Sequence, residues 1–218
     1  RNVEVPAGGR ADAEFLSLDV PHGFNRGEVR IDSADGFPAD DRFYFAIERA
    51  EPRPALFVHE QKNARAALYF RTALESATHP AFNLDAVTAD RAAGLAPAKY
   101  AFVALSDVGS LPASFENALQ QYVKKGGSVL AAAGSYAALR KRIPVTGQAI
   151  LETLAFSREA DRFRTVAWLD SAHPATHGGN WDGVRFYQAA RVEPAGARVL
   201  ARLAGDEPLL LEKPVGEG

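Results

Sequence analysis

The sequence predicts an α/β fold: a parallel sheet with helices on both faces and added β-strands, preceded by a partial antiparallel β-sandwich. Three features predict it. Apolar runs at 55–58, 100–105 and 128–133 have the length and continuity of strands buried on both faces of a parallel sheet. Segments with apolar residues near helical spacing lie between them, giving a strand–helix–strand rhythm. Before residue 51, apolar residues alternate with polar ones between short turns, the pattern of half-buried strands.

The elements follow in order. Residues 14–20, 27–32 and 42–48 are short β-like runs, separated by turns at Gly8-Gly9, Pro21-His22-Gly23 and Ser33-Ala34-Asp35-Gly36. Phe43, Phe45 and Ile47 alternate with Tyr44, Ala46 and Glu48. An immunoglobulin-like sandwich needs about seven strands in ~100 residues, so residues 1–50 are expected to supply only its last strands. Glu51-Pro52-Arg53-Pro54 reads as a linker, because consecutive X-Pro units favour extended backbone. A second domain then covers 55–218.

In that domain 55–58 is a short strand, and 63–76 a helix through Ala67, Leu68, Phe70, Ala73 and Leu74. A second strand is expected over 82–88 and a third over 100–105. A helix opens at Leu111-Pro112-Ala113-Ser114, with Lys124 and Lys125 in its last turn, where they complement the helix dipole. Gly126-Gly127 ends it, and a strand over 128–133 follows. The glycine pair lies after a helix and before a strand, the wrong order for a phosphate-cradling turn. Residues 163–169, 184–192, 198–203 and 208–212 read as strands on short turns, extending the sheet antiparallel or forming a small β-layer beside it. Val215-Gly216-Glu217-Gly218 reads as the turn of a hairpin whose second strand is absent, so the domain is expected to lack its last strand and the chain to come from a longer protein.

Composition narrows the function. The net charge of −2, with Lys and Arg dispersed, provides no field for nucleic acid or an anionic membrane. The absence of cysteine removes disulfides, thiolate metal sites and the strongest neutral-pH nucleophile. No apolar run reaches the ~18 residues of a membrane span.

Ligands of open α/β sheets bind beyond the carboxyl ends of the strands. The residues expected there are His59, Glu60, Ser106, Asp107, Gly134 and Ser135, with the loop from Asp170 through His173 to His177 folding over the same edge. Ser135, His173 and Asp107 would make a hydrolytic triad if they converge. Gly134-Ser135-Tyr136-Ala137 is not a Gly-x-Ser-x-Gly elbow, however, and the plainer reading is that Ser135 caps a short helix. Asp170, His173 and His177 have a spacing open to metal, but Pro174 and Gly178-Gly179 favour a polar loop, and no further strong ligand is evident. No metal and no cofactor is expected. Trp168, Trp181, Phe186 and Tyr187 read as core of the β-rich half rather than as a ligand platform.

The strand–helix–strand–turn run over 99–135 resembles the glutamine-amidotransferase-like variant of the flavodoxin-like sheet, with Ser135 at the turn that bears the nucleophilic Cys in that fold. The wider chain resembles the periplasmic region of bacterial Bat-type (aerotolerance-operon) membrane proteins. The matching stretches are Val5-Pro6-Ala7-Gly8-Gly9, Phe24-Asn25-Arg26-Gly27-Glu28-Val29-Arg30 and Phe37-Pro38-Ala39-Asp40-Asp41-Arg42-Phe43-Tyr44-Phe45. Further on they are Tyr100-Ala101-Phe102-Val103-Ala104-Leu105-Ser106-Asp107-Val108, Val123-Lys124-Lys125-Gly126-Gly127-Ser128, Ser171-Ala172-His173-Pro174, and the run from Pro208 to Gly218. The resemblance implies membrane helices and a von Willebrand A-like domain outside this chain, then the sandwich and a class I amidotransferase-like domain without its Cys. It implies a soluble periplasmic part at the bacterial inner membrane, anchored through segments absent from this chain. The expected role is a non-catalytic interaction module in envelope assembly or stress tolerance, with protein partners in the envelope and no nucleic acid. The alternatives are a Ser-dependent hydrolase or amidase, and a small-ligand or sugar sensor using the strand-end pocket.

Overall fold

The computed structural model describes the chain except residues 1, 16–17, 33–35, 38, 77–80, 157–161 and 178. It divides into two units, Arg1–Glu51 and Pro52–Gly218. No helix among the described residues is long and apolar enough to cross a membrane.

The first unit is built on one antiparallel pair, β1 (Gly23–Arg30) and β2 (Arg42–Arg49), in register from Gly23 opposite Arg49 to Arg30 opposite Arg42. β1 starts earlier than its apolar run suggested, because every residue of β2 finds a partner. The expected strand over 14–20 does not form in its described part, so among the described residues the sandwich is reduced to two strands.

The second unit carries a four-stranded parallel sheet in the order β4-β3-β5-β6. Its strands are β3 (Arg53–His59), β4 (Phe82–Thr88), β5 (Val103–Ser106) and β6 (Val129–Ala132). The expected linker is corrected: β3 begins at Arg53, since the extended backbone that Pro imposes is also strand backbone. The Arg53 N–H bonds to the Ala81 carbonyl at 3.0 Å, and the Pro54 carbonyl accepts from Ala101 N at 2.8 Å. The third strand starts later than expected because Pro97–Lys99 forms a 3₁₀ turn, closed by the Tyr100 N–H on the Pro97 carbonyl at 2.9 Å.

Helices cover both faces. On one, Leu56, Val58, Val103 and Leu105 pack with Phe115 and Leu119 of α2 (Ala113–Lys124). On the other, Ala55, Phe57, Leu84 and Ala104 pack with Ala66, Ala67, Phe70 and Leu74 of α1 (Ala64–Glu75). Phe57 stacks on Phe70 at 4.8 Å between ring centroids, an arrangement worth ~0.5–1.5 kcal/mol beyond area burial. β6 departs from the expectation of burial on both faces. Val129 and Ala131 are half-buried, whereas Leu130 and Ala132 are exposed, because α1 packs against β4 and β3, at the other side of the sheet.

After β6 comes the short α3 (Ser135–Arg140), then two antiparallel sheets. One pairs β7 (Ile150–Ala155) with β9 (Gln188–Val192). The other has the order β11-β10-β8, from β8 (Val166–Leu169), β10 (Arg198–Leu203) and β11 (Pro208–Glu212). Neither is hydrogen-bonded to the parallel sheet among the described residues, which selects the separate β-layer. The aromatic core expected here is corrected too. Trp168 is 48% and Tyr187 57% exposed, with Tyr187 meeting Phe163 edge-on at 6.2 Å.

Candidate functional site

Successive strands are added in opposite directions from β3, with β4 on one side of it and β5–β6 on the other. A crevice opens at the carboxyl ends of such neighbouring strands, where this architecture binds ligands. Register places His59 beside Ser106, and Ser106 beside Ala132. Glu60, Asp107 and Gly134 follow within two residues of those strand ends, the placement expected from the sequence.

The side chains of that edge bond inward. His59 is buried and its Nδ1 lies 2.8 Å from the Glu60 carbonyl oxygen, which fixes the proton on Nδ1 because a carbonyl can only accept. Glu60 Oε1 accepts the Gly109 N–H at 2.7 Å. Asp107 Oδ1 accepts the Ala137 N–H at 2.8 Å, within the first turn of α3, where a carboxylate also complements the helix dipole. Asp107 is held in the left-handed region, with φ of 47°, a conformation that Asp and Asn tolerate better than other side-chain-bearing residues. A Cβ on Gly134 would stand 2.6 Å from Asp107 Oδ2, so the carboxylate fills the space that a side chain there would need.

Ser135 is the first residue of α3 and is exposed. The expected Ser135 cap is corrected: Gly134 occupies the cap position without a side-chain bond, and the distant Asp107 supplies the acceptor. No hydrogen bond joins Ser135 to His173 or Asp107 among the described residues. His173 instead takes the Ala175 N–H on Nδ1 at 3.2 Å and places Nε2 3.2 Å from Glu212 Oε1. With Nδ1 accepting, Nε2 carries the ring proton and faces the Glu212 carboxylate. The sequence missed this carboxylate, because Glu212 belongs to a different strand of the β-layer and carries no local signal.

The 170–177 loop is tied to itself and to β10. Asp170 pairs with Arg198, the Thr176 hydroxyl donates to the Asp170 carbonyl and to the His173 carbonyl, and His177 Nδ1 lies 3.4 Å from the Ser171 carbonyl. Among the described residues no group of three or more His, Asp or Glu side chains has metal-binding geometry.

No protein-family model and no curated protein matches the chain. Solved structures do. A β-galactosidase from Rahnella sp. R3 aligns at 16% identity and TM-score 0.48, over 77% of this chain and 28% of its own. A ThuA-like protein from Parabacteroides merdae ATCC 43184 aligns at 16% identity and TM-score 0.46, over 77% of each chain. A β-galactosidase from Bacillus circulans sp. alkalophilus aligns at 17% identity and TM-score 0.44, over 75% of this chain and 27% of its own. The chain thus spans less than a third of either β-galactosidase.

Proposed function

We propose that the protein is a non-catalytic interaction module with a degenerate amidotransferase-like domain, from a membrane-anchored protein of the bacterial envelope that acts in assembly or stress tolerance. The envelope assignment rests on the motif resemblances, and the amidotransferase-like reading on the parallel sheet followed by the Gly134-Ser135 turn into α3. One observation carries the non-catalytic reading: both carboxylates of the strand-end crevice, Glu60 and Asp107, accept backbone N–H groups of their own domain. Each carboxylate keeps its second oxygen, but a general base must stand within hydrogen-bond reach of the nucleophile, and among the described residues Ser135 has no imidazole or carboxylate bonded to it.

Nothing in the geometry favours the hydrolase alternative. An unassisted serine hydroxyl is a weak nucleophile, and the histidine nearest to a triad role by sequence is engaged by Glu212. The sugar-sensor alternative needs a crevice with converging free polar groups, whereas His59, Glu60 and Asp107 each already bond to the domain's own backbone. The test is turnover of a panel of p-nitrophenyl esters and anilides by the wild-type chain and by Ser135→Ala. The module reading predicts equal, background rates. Turnover abolished by Ser135→Ala would overturn it.

A further inference from the structure

A cavity of the second unit lies away from the strand-end residues. It is a groove of ≈870 Å³ between β6 and β11, within the ~300–1,000 Å³ range of ligand clefts. One wall is the open edge of the parallel sheet. Val103 N bonds to the Ser128 carbonyl at 3.0 Å and Asp107 N to the Ala132 carbonyl at 2.9 Å. Backbone groups alternate sides along a strand, so residues 128, 130 and 132 serve β5, and Val129, Ala131 and Ala133 turn their N–H and C=O groups outward. None of these six groups has a backbone partner among the described residues, and all three residues line the groove. The opposite wall is β11, paired with β10 alone, and the groove's lining there is apolar through Leu209, Leu210 and Leu211.

Two properties of this groove name an occupant. The alternating partial charges of three N–H and C=O pairs at strand spacing are complementary to another extended backbone. The apolar lining asks for apolar side chains at alternate positions, as period-two strands present them. β11 stands across the groove from the β6 edge, so an occupant enters a walled groove, which suits a single extended segment better than the open approach of a second β6. We propose that this groove is a strand-acceptor site: an extended segment of a partner polypeptide, apolar at alternate residues, adds to the β6 edge. The inference deepens the interaction-module reading and rests on it.

The test uses the isotopically labelled chain and three acetylated, amidated hexapeptides in which Thr alternates with Val, Ile or Leu. Amide exchange by NMR is the readout. At saturating peptide, exchange at Val129, Ala131 and Ala133 is expected to slow on the order of tenfold or more, while Leu130 and Ala132, already bonded to β5, stay unchanged. Ala131→Pro removes an outward N–H without breaking the ladder to β5, as Pro is tolerated at a strand edge. It is expected to abolish the protection, with protected Leu130 and Ala132 showing that the variant is folded. Protection of the outer amides by none of the peptides overturns the proposal, as does undiminished protection in Ala131→Pro. Protection only when the peptide is fused after Gly218 would assign the groove to an intramolecular strand and also overturns it, and so would protection on self-association without peptide. Ser135-dependent turnover would remove the module reading whatever the peptides do. Peptide failure without turnover removes only the acceptor site.

Discussion

Replacing Asp107 separates the two things its side chain and backbone do. Its carboxylate accepts the Ala137 N–H at 2.8 Å, and its backbone sits at φ of 47°. Asp107→Ala leaves the amide of a buried residue without an acceptor, a loss of about 1–2 kcal/mol by analogy with helix caps. Ala in the left-handed region adds about 1 kcal/mol. The total is about 2–3 kcal/mol. At ~2–4 °C per kcal/mol for a domain of this size, Tm should fall by about 5–10 °C. Asp107→Gly keeps the first loss and relieves the second, so it should fall about half as far. Asp107→Asn keeps an acceptor and tolerates the backbone, and should lie within about 1 kcal/mol of wild type. The assay is thermal and urea unfolding of the four proteins, with stability expected to decrease from Asp through Asn and Gly to Ala. Asp107→Ala as stable as wild type would refute the role assigned to the carboxylate, and Gly less stable than Ala would refute the backbone argument.

Three further outcomes are expected. Gly134→Ala places a Cβ 2.6 Å from Asp107 Oδ2 and should destabilise the wild type, yet add little to Asp107→Ala, a non-additivity that a double-mutant cycle measures. Gly127→Ala sets a Cβ 2.4 Å from Tyr122 Cζ and should lift the ring whose hydroxyl donates to the Tyr100 and Ala101 carbonyls at 3.1 Å; the cost of about 1–3 kcal/mol in urea melts should vanish in a Tyr122→Ala background. Burial, with the charge and hydrogen bond of Asp85 behind it, raises the Tyr100 phenol above its ordinary value of 10.0. A raised acid favours the folded state fully below the unfolded value and loses that advantage as pH rises through the folded one, so stability should decline above about pH 10 and decline less in Tyr100→Phe, as stability curves against pH would show.

Much of the parallel sheet was legible because its signals are local. The apolar run before His59, the helical spacing over Phe70 and Leu74, and the glycines after Lys125 each act within one element, and all three held. Boundaries failed where two neighbours share one backbone preference. Pro52-Arg53-Pro54 demands extended chain, and a linker and a strand satisfy that demand equally. β6 is read from Val-Leu-Ala-Ala, whose residues differ too little in polarity to tell an edge strand from a central one. β7 escaped notice because Ile-Leu-Glu-Thr-Leu-Ala lacks strict alternation.

The crevice was legible as a place and illegible as a network. Strand ends follow from periodicity, so Glu60 and Asp107 were found. Their donors lie 49 and 30 residues away in the chain, and only the closed fold brings Gly109 and Ala137 to them. The same holds for His173 and Glu212, joined across the β-layer. A triad is a statement about convergence, and sequence spacing contains no information on which of two carboxylates an imidazole will meet.

The most direct measurement of the central claim is covalent labelling of Ser135. A fluorophosphonate reacts with a serine hydroxyl only when a base and oxyanion donors activate it. Intact-mass and peptide analysis after incubation with excess reagent should find the chain unmodified at Ser135, in agreement with a crevice whose carboxylates are taken up by Gly109 and Ala137. A stoichiometric adduct on Ser135 that disappears in His173→Ala would contradict the account.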